Sequence, residues 1–547
     1  MSRSPAGEHP AARGGSRAQG PPALTVWAVG LLIALAAVGL RGRQDANTVD
    51  DAYITFRCAR HLAAGAGLVY NRGENVLGTS SPGYALILAG WSRMIGTADF
   101  PHLALWLNAC VDGGIVLMLF LLVWSLCPGP HRTRALAALL AAGLYAVDAR
   151  SVDFSTGGME TPLFVGLLVG CALALSLGHT WSGAVLAGGS VAIRPDGILI
   201  IGAFFLALMM RRRGLSMGVL LAAATPAVLT GLAITAFYGD PLPASLRAKA
   251  GQVYLLHHDQ AARVISGHLA GMTAGWLPVA RTVPFLPAAA RGFLSLFANS
   301  ILPGTLCFIG FRRGVPGPAR SLLVAYAAIF IAAFAVANPL MMGWYLVPLE
   351  TTYIVFLSLG TARLAAAGAR RWGNWPMRGA GGFVAGGLFL VLVFVPQLRR
   401  YEWRPGQERP LAAIRSEWNK IREARYLQAG SEVAAFTGGV ARVAAPEIGA
   451  LGYAYPGPIL DTVGLVSPEA RRYYPLPPEA VAGINAIPPA LILDRRPDFV
   501  IFLEIFGRRG LLRDPRFRRD YRLWRTYPSR TFGSHGLLVY VRRASVW

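Results

Sequence analysis

Thr48-Val49-Asp50-Asp51-Ala52-Tyr53-Ile54-Thr55-Phe56-Arg57-Cys58-Ala59-Arg60 is a polar run that follows the first apolar segment directly and closes at Gly65 and Gly67. Two adjacent carboxylates therefore stand within a few residues of a membrane surface, where an uncompensated charge is costly. The run reads as a short helix from Asp50 to Ala64. Thr48 or Asp50 caps its first turn, the acids suit the positive end of the dipole, and Gly65 stops it. On such a helix Asp50, Ile54, Arg57 and His61 share a face by i, i+4, i+7 spacing, which sets Arg57 near Asp50. A juxtamembrane helix with solvated acids fits the same spacing, so the surroundings of the run have to decide between the two.

Those surroundings are apolar. Of 547 residues, 54% are hydrophobic and only 15% charged, with a mean hydropathy of +0.45, which excludes a soluble globule of ordinary composition and indicates a polytopic membrane protein. The formal charge of +24 does not point to nucleic acid, because many arginines flank apolar segments, where anionic lipid and the positive-inside bias account for them. Cys58, Cys110, Cys127, Cys171 and Cys307 follow no pairing or zinc-ligand spacing, so neither a disulfide framework nor a zinc site is expected.

Residues 1–22, rich in Gly, Pro, Ala and Arg, read as a disordered cytoplasmic tail. Residues 24–40 begin to cross a membrane of about 30 Å core thickness, with Arg3, Arg13 and Arg17 holding the N-terminus inside; a cleaved signal peptide is the competing reading. Further apolar stretches lie at 102–126, 134–148, 161–177, 180–193, 197–210, 215–237, 293–311, 321–337, 343–362 and 379–396. The stretch 82–97 decides the topology. If it is a surface helix, about eleven spans remain and the clusters Arg132/Arg134, Arg211/Arg212/Arg213, Arg312/Arg313 and Arg363/Arg370/Arg371/Arg378 all fall inside. Counted as a span, it would put the last three outside.

The expected architecture is therefore a transmembrane domain over 23–398, whose first external loop is 41–101, followed by an extracytoplasmic soluble domain over 399–547. In that last part, strand-like runs at Val433–Phe436, Phe499–Phe502 and Leu537–Tyr540 alternate with turns, and a helical pattern covers Pro410 to Leu427, which reads as a small α/β domain. With this topology the loops rich in unusual polar residues share one side: the aspartate loop, Ser155-Thr156-Gly157-Gly158-Met159-Glu160, Arg194-Pro195-Asp196-Gly197, the loop opening with Tyr238-Gly239-Asp240-Pro241, and the turn before Trp344-Tyr345.

Acids at the outer face beside a lipid-sized apolar shell suit one reaction in particular. A sugar on a polyprenyl phosphate already carries a good leaving group, so the protein must supply a carboxylate to take the acceptor's proton and cations to hold the phosphate. Asp50 and Asp51 are the candidate catalytic acids, with Asp50 as base and Asp51 beside it. Arg57, Tyr53, Glu160, Arg194, Asp240, Lys249, Trp344 and Tyr345 are the candidate substrate-binding residues, and Arg194 and Lys249 the candidates for the phosphate. Each has a plainer role open to it: Glu160 as a cap above Pro162, Arg194 snorkelling to headgroups, and Lys249 with Arg247 as a lipid-facing edge. His257 and His258 are adjacent, which is poor geometry for one metal, and a divalent metal is otherwise left open. Arg508 to Arg525 reads as a solvated basic face.

The run Asp50 to Arg57, then Ala59-Arg60, Gly67-Leu68-Val69-Tyr70-Asn71, Gly73-Glu74 and Ser81-Pro82, resembles the first external loop of bacterial GT-C glycosyltransferases, of the kind that includes the mycobacterial terminal arabinofuranosyltransferases. The likeness continues through Gly157-Gly158-Met159-Glu160-Thr161-Pro162, Arg194-Pro195-Asp196-Gly197, Tyr238-Gly239-Asp240-Pro241-Leu242-Pro243 and Lys249, and ends in Ile448-Gly449-Ala450-Leu451-Gly452-Tyr453 and Asp461-Thr462-Val463-Gly464-Leu465. It departs at Cys58, His61 and Leu77-Gly78-Thr79-Ser80. The resemblance implies a multi-pass protein of the plasma membrane that transfers a sugar, such as arabinofuranose, from a polyprenyl-phosphate donor to a cell-envelope glycan or lipid, with a first-loop acid as base. A glycan-binding membrane protein with a degenerate catalytic half is one alternative, against which the intact Asp50 and Asp51 argue; a transporter or lipid flippase is the main rival class. An internal repeat with paired broken helices would mark it, and none is legible.

Overall fold

The computed structural model describes residues 23–44, 46, 48–211, 215–241, 243–250, 258–271, 287–313, 317–371 and 417–545. The expected tail of residues 1–22, the expected span 379–396, the boundary at 398/399, Arg212, Arg213, Leu242, His257 and Arg378 lie outside them. After α1 (Leu24–Gly42) come α2 (Asp50–Ala63), α3 (Pro82–Ile95), α4 (Phe100–Leu126) and α5 (His131–Val147), which breaks at Asp148 and bends by 48° into α6 (Ala149–Thr156). The bundle continues with α7 (Thr161–Ser176), α8 (Thr180–Ile193), α9 (Ile198–Met210) and α10 (Met217–Tyr238), then the short α11 (Ala244–Ala250) and α12 (Gln260–Gly271). α13 (Ala288–Leu296) passes through a π turn into α14 (Leu302–Arg313), and α15 (Pro318–Ala337) and α16 (Val347–Arg371) follow.

The apolar segments within the described residues are all helical. Among the described residues, five helices are long and apolar enough to cross a membrane, six if the bent α5–α6 pair is one span. Three more apolar helices, Thr161–Ser176, Thr180–Ile193 and Pro195–Met210, are shorter. α3 is not among these candidates. It lies against α2 and leaves Leu86, Met94 and Ile95 more than half exposed, the pattern of a helix lying in a membrane interface.

The two ends of the bundle differ in chemistry. At one end Arg134 stacks on Trp124, Arg211 donates to Ser321 Oγ at 3.2 Å, and Arg363 donates to the Ile309 carbonyl. A cavity of about 870 Å³ opens there, lined in part by Pro130, Phe308, Arg312, Arg363 and Leu364. The other end holds the polar loops. The Val49 N–H donates to the Gly157 carbonyl, Tyr84 and Asn108 hold the carbonyls of Gly158 and Met159, and the Tyr238 hydroxyl donates to the Leu68 carbonyl. The loops expected to share a side do share an end.

The C-terminal unit is α17 (Glu417–Thr437), α18 (Gly449–Ala454) and a five-stranded mixed sheet of β1 (Val443–Ala445), β2 (Ile459–Asp461), β3 (Phe499–Leu503), β4 (Tyr521–Tyr527) and β5 (Leu537–Arg542). Its order is β2-β1-β3-β5-β4, parallel at β2/β1/β3 and antiparallel at β3/β5/β4. The strands expected at Phe499 and Leu537 form, but Val433–Phe436 belongs to α17. Tyr426, Ala429 and Val433 are buried at i, i+3, i+7, so the helical period continues through the apolar run and tertiary packing overrides its strand-like composition. The unit does not close a core of its own. Val49, Ala52, Ile54, Phe56 and Tyr70 of the first loop pack in one continuous cluster with Tyr426, Leu451, Tyr455 and Ile459.

Candidate active site

α2 begins at Asp50 as expected, but its N-cap residue is Val49 and no side chain caps it. Asp50 is used elsewhere. Its Oδ1 accepts the Ala450 N–H at 2.8 Å and its Oδ2 the Gly449 N–H at 3.2 Å, so it caps α18 of the C-terminal unit. Arg57, two turns on and 1% exposed, does not meet Asp50. It donates from Nε to the Tyr70 carbonyl and from Nη2 to the Gly457 carbonyl, each at 2.8 Å, and from Nη1 to the carbonyls of Gly452 and Tyr455, while its guanidinium lies 4.6 Å from the Tyr70 ring centre. An acid thus satisfies the free amides at the start of α18 and a cation the free carbonyls at its end, the two kinds of group a helix leaves unpaired. Arg57 thus spends four of its five N–H donors on backbone carbonyls of its own chain.

The motif Ile448-Gly449-Ala450-Leu451-Gly452-Tyr453 is the matching half. A Cβ on Gly449 would fall 1.8 Å from the Asp50 carbonyl oxygen, and one on Gly452 would fall 1.9 Å from the Tyr70 hydroxyl, so only glycine permits the approach. Tyr70 donates to the Ile448 carbonyl at 2.6 Å, and Asn71 bonds both the carbonyl and the N–H of Ile459. Tyr53 packs 5.1 Å from the Tyr453 ring. The second motif turns on itself: Asp461 accepts the amides of Val463 and Val466 around Gly464, whose φ is +89°, and burial pushes its carboxyl up to about 6.

Docking also sets the electrostatics of Asp50. Burial raises its pKa to about 7, with Arg422 and the Ala450 amide pulling down and Glu447 and Glu423 pushing up. Arg422 grips Glu447 at 2.9 Å and Glu423 at 2.8 Å, and burial raises the Glu447 carboxyl despite that cation, with Asp51 adding to the rise. Both aspartates stay half-buried. Above Arg422, 5.5 Å from its guanidinium carbon, lies the half-exposed ring of Phe532, whose backbone is left-handed at φ 55° and ψ 22°. Among the described residues no three His, Cys, Asp or Glu side chains are placed to hold a metal ion.

The other candidates lie deeper or further away. Arg194 is buried between the rings of Phe164 and Tyr345, at 4.5 and 4.7 Å, and gives Nε and Nη2 to the two oxygens of Asp196. Glu160 lies 3.9 Å from it. Two acids answer its charge, and its Nη1 is buried with no hydrogen-bond partner. Trp344 packs edge-on to Phe154 at 5.9 Å. Asp240 pairs with Arg247 at 2.7 Å beyond the far end of α2, and Lys249 stands in α11 with its side chain outside the described residues.

Sequence reasoning passed over two groups of residues. One is Arg422, Glu423 and Glu447, whose signal was hidden in a polar domain where charge is ordinary. The other is a set of ionisable residues inside apolar segments: Arg41, which pairs with Asp112 and donates to Ser151 Oγ, and Asp148 with Glu350. Charge in an apolar stretch is itself the signal that could have found these.

Over 178 residues the chain is 30% identical to the terminal beta-(1->2)-arabinofuranosyltransferase of Mycobacterium tuberculosis (strain ATCC 25618 / H37Rv), a stretch that is 30% of this chain and 28% of that protein. The match thus spans less than a third of that relative. Residues 413–542 match a domain of unknown function, DUF8728. The archaeal oligosaccharyltransferase AglB from Archaeoglobus fulgidus, in complex with an inhibitory peptide and a dolichol-phosphate, superposes over 96% of this chain and 74% of its own, with a TM-score of 0.50 at 11% identity. The same oligosaccharyltransferase in the apo form covers 95% and 74%, with a TM-score of 0.51 at 12% identity. The chain has the GT-C fold. The GT-C bundle and the sheet domain beside it are what the motifs led one to expect, and the likeness to a mycobacterial terminal arabinofuranosyltransferase is a measured sequence relation.

Proposed function

We propose that this GT-C chain is a glycosyltransferase that moves a sugar, arabinofuranose by its sequence relation, from a polyprenyl-phosphate donor to a hydroxyl of a cell-envelope glycan or lipid on the extracytoplasmic face of the plasma membrane. The reading rests on Asp50: a half-buried carboxylate with a pKa of about 7, fixed by two backbone amides at the end of an apolar bundle where the polar loops meet. A general base works best with its pKa near the working pH. The acceptor oxygen bonds to the anomeric carbon as the bond from that carbon to the phosphate oxygen breaks. Asp50 takes the acceptor's proton, and polyprenyl phosphate departs with the electron pair. Asp51 supports the local field beside it, and the positive charge of Arg422 offsets part of the rise that burial imposes on Asp50.

In this reading the basic end of the bundle faces the cytoplasm, and residues 417–545 lie outside with the polar loops. The extracytoplasmic unit is then part of the machinery, because it holds the base. The test is transfer by the full chain in lipid nanodiscs with polyprenyl-phosphate arabinofuranose. Asp50→Asn is expected to lower turnover by about 10²- to 10⁴-fold; near-native transfer by that variant would end the reading.

A further inference from the structure

A second polar cluster lies apart from Asp50 and belongs to none of the sequence motifs. Three elements that are distant in the chain build it: the α5–α6 break supplies Asp148 and Arg150, α12 supplies His268, and the first turn of α16 supplies Glu350. Arg150 Nη1 donates to Glu350 Oε2 at 3.4 Å, and the same nitrogen meets the His268 ring. The Asp148 side chain accepts the Ser151 N–H at 2.8 Å, and its carboxyl lies close enough to Glu350 for the two to interact.

Exposure then separates the members. The Glu350 side chain is 3% exposed and that of Arg150 29%, so the acid is closed off while part of the arginine side chain reaches open space. His268 is buried, and burial lowers its pKa to about 3, so it is a neutral ring with one N–H to give. A planar fork of donors beside a neutral N–H matches a phosphate group. Arg194, the cation the sequence motifs favoured, is 2% exposed and spends Nε and Nη2 on Asp196, while its Nη1 is buried without a hydrogen-bond partner.

Position relates the cluster to the base. α6 has eight residues, about 12 Å at the rise of a helix. Arg150 stands in its first turn, and just past its end the Gly157 carbonyl accepts the Val49 N–H beside Asp50. Phe154 between them is held by the Trp344 ring and by Gly343, where a Cβ would fall 2.7 Å from it. One short pinned helix thus carries a phosphate-matched cation at its start and braces the acid at its end.

We propose that Arg150, with His268, seats the phosphate of the lipid-linked sugar donor and takes up the charge that grows on it as the sugar leaves. This rests on the glycosyltransferase reading given above. Asp148 and Glu350 are positioning residues, since they hold Arg150 and do not touch the ligand.

The experiment measures binding of polyprenyl phosphate to the full chain in zwitterionic nanodiscs, with Arg519→Gln, a surface change, as control. Arg150→Gln is expected to weaken binding roughly ten- to a hundredfold, Arg150→Lys to recover part of the loss, and His268→Gln to weaken it by a smaller factor. Should Arg150→Gln elute as misfolded protein, Arg150→Lys and His268→Gln decide, and wild-type affinity in both overturns the proposal. Equal binding by a well-folded Arg150→Gln also overturns it and leaves the glycosyltransferase reading intact. Failure of the wild-type chain to bind polyprenyl phosphate sinks that reading and the inference with it. Displacement by added phosphatidylglycerol, with the same dependence on Arg150, would make the site a general headgroup seat and overturn the donor assignment.

Discussion

Replacing Arg57 with methionine keeps the length of the side chain and removes every donor. Four carbonyls, those of Tyr70, Gly452, Tyr455 and Gly457, then lose a buried partner. A hydrogen bond to a charged group contributes about 1.5–3 kcal/mol, so four would sum to about 6–12 kcal/mol if they were independent. They share one guanidinium, and such terms are not additive; each buried carbonyl left unpaired costs about 1–3 kcal/mol, so the net loss is of the order of 3–5 kcal/mol. That is a large part of the roughly 5–15 kcal/mol that holds a domain folded. The loss falls on the contact between α2 and α18 and spares the bundle. Hydrogen exchange of the amides from Gly449 to Gly457 in Arg57→Met should therefore accelerate by about 10²- to 10⁴-fold, with turnover falling because Asp50 loses its setting. Arg57→Lys should restore less than half of the protection, since an ammonium offers three donors from a single point and no fork. If exchange in that segment stays at the wild-type rate and only the KM for donor rises, Arg57 is a substrate ligand and the clamp reasoning is wrong.

Other expectations follow from the same contacts. Gly449→Ala should be nearly inactive and should lower the first thermal transition, since its Cβ overlaps the Asp50 carbonyl; a variant as active and as stable as wild type would show that the two helices part easily. With Asp50 raised to about 7 by burial, kcat/KM should fall about tenfold per pH unit below that value as the base is protonated, and a profile flat down to pH 5 would place the base elsewhere. Because the folded pKa lies above the ordinary 3.8, the contribution of Asp50 to stability is fully present below about 4 and is lost as pH rises through about 7, which thermal unfolding across that window can check. On a cysteine-free background, an impermeant thiol reagent added outside should label Glu74→Cys and miss Arg132→Cys, and the opposite pattern would invert the orientation.

Much of this was legible in the chain. The helix over Asp50–Ala63 and the grouping of the polar loops at one end follow from caps, periodicity and the distribution of arginine. What could not be read was the identity of contacts across hundreds of residues. Asp50 and Arg57 do share a face of α2, but local spacing could not show that the face is filled by α18, so the two were expected to meet each other. Val433–Phe436 looks like a strand because its apolar residues are consecutive, and only the burial of Tyr426 and Ala429 shows that a helix continues through it. Arg150 carries no motif at all. Its role emerges only when the bend at Asp148 brings it against elements more than a hundred residues later.

The contact from Asp50 to Gly449 and Ala450 spans 399 and 400 residues, and this gives the protein a clock. At a synthesis rate of roughly 5–20 residues per second, the loop bearing the acids emerges about 20 to 80 seconds before the segment that completes it. During that interval the acids exist without their setting. Under the proposed mechanism a chain stopped short of Ala450 holds the acid without the amides that fix it, and competence arrives late, when residues 449 and 450 have been made and reach back to Asp50.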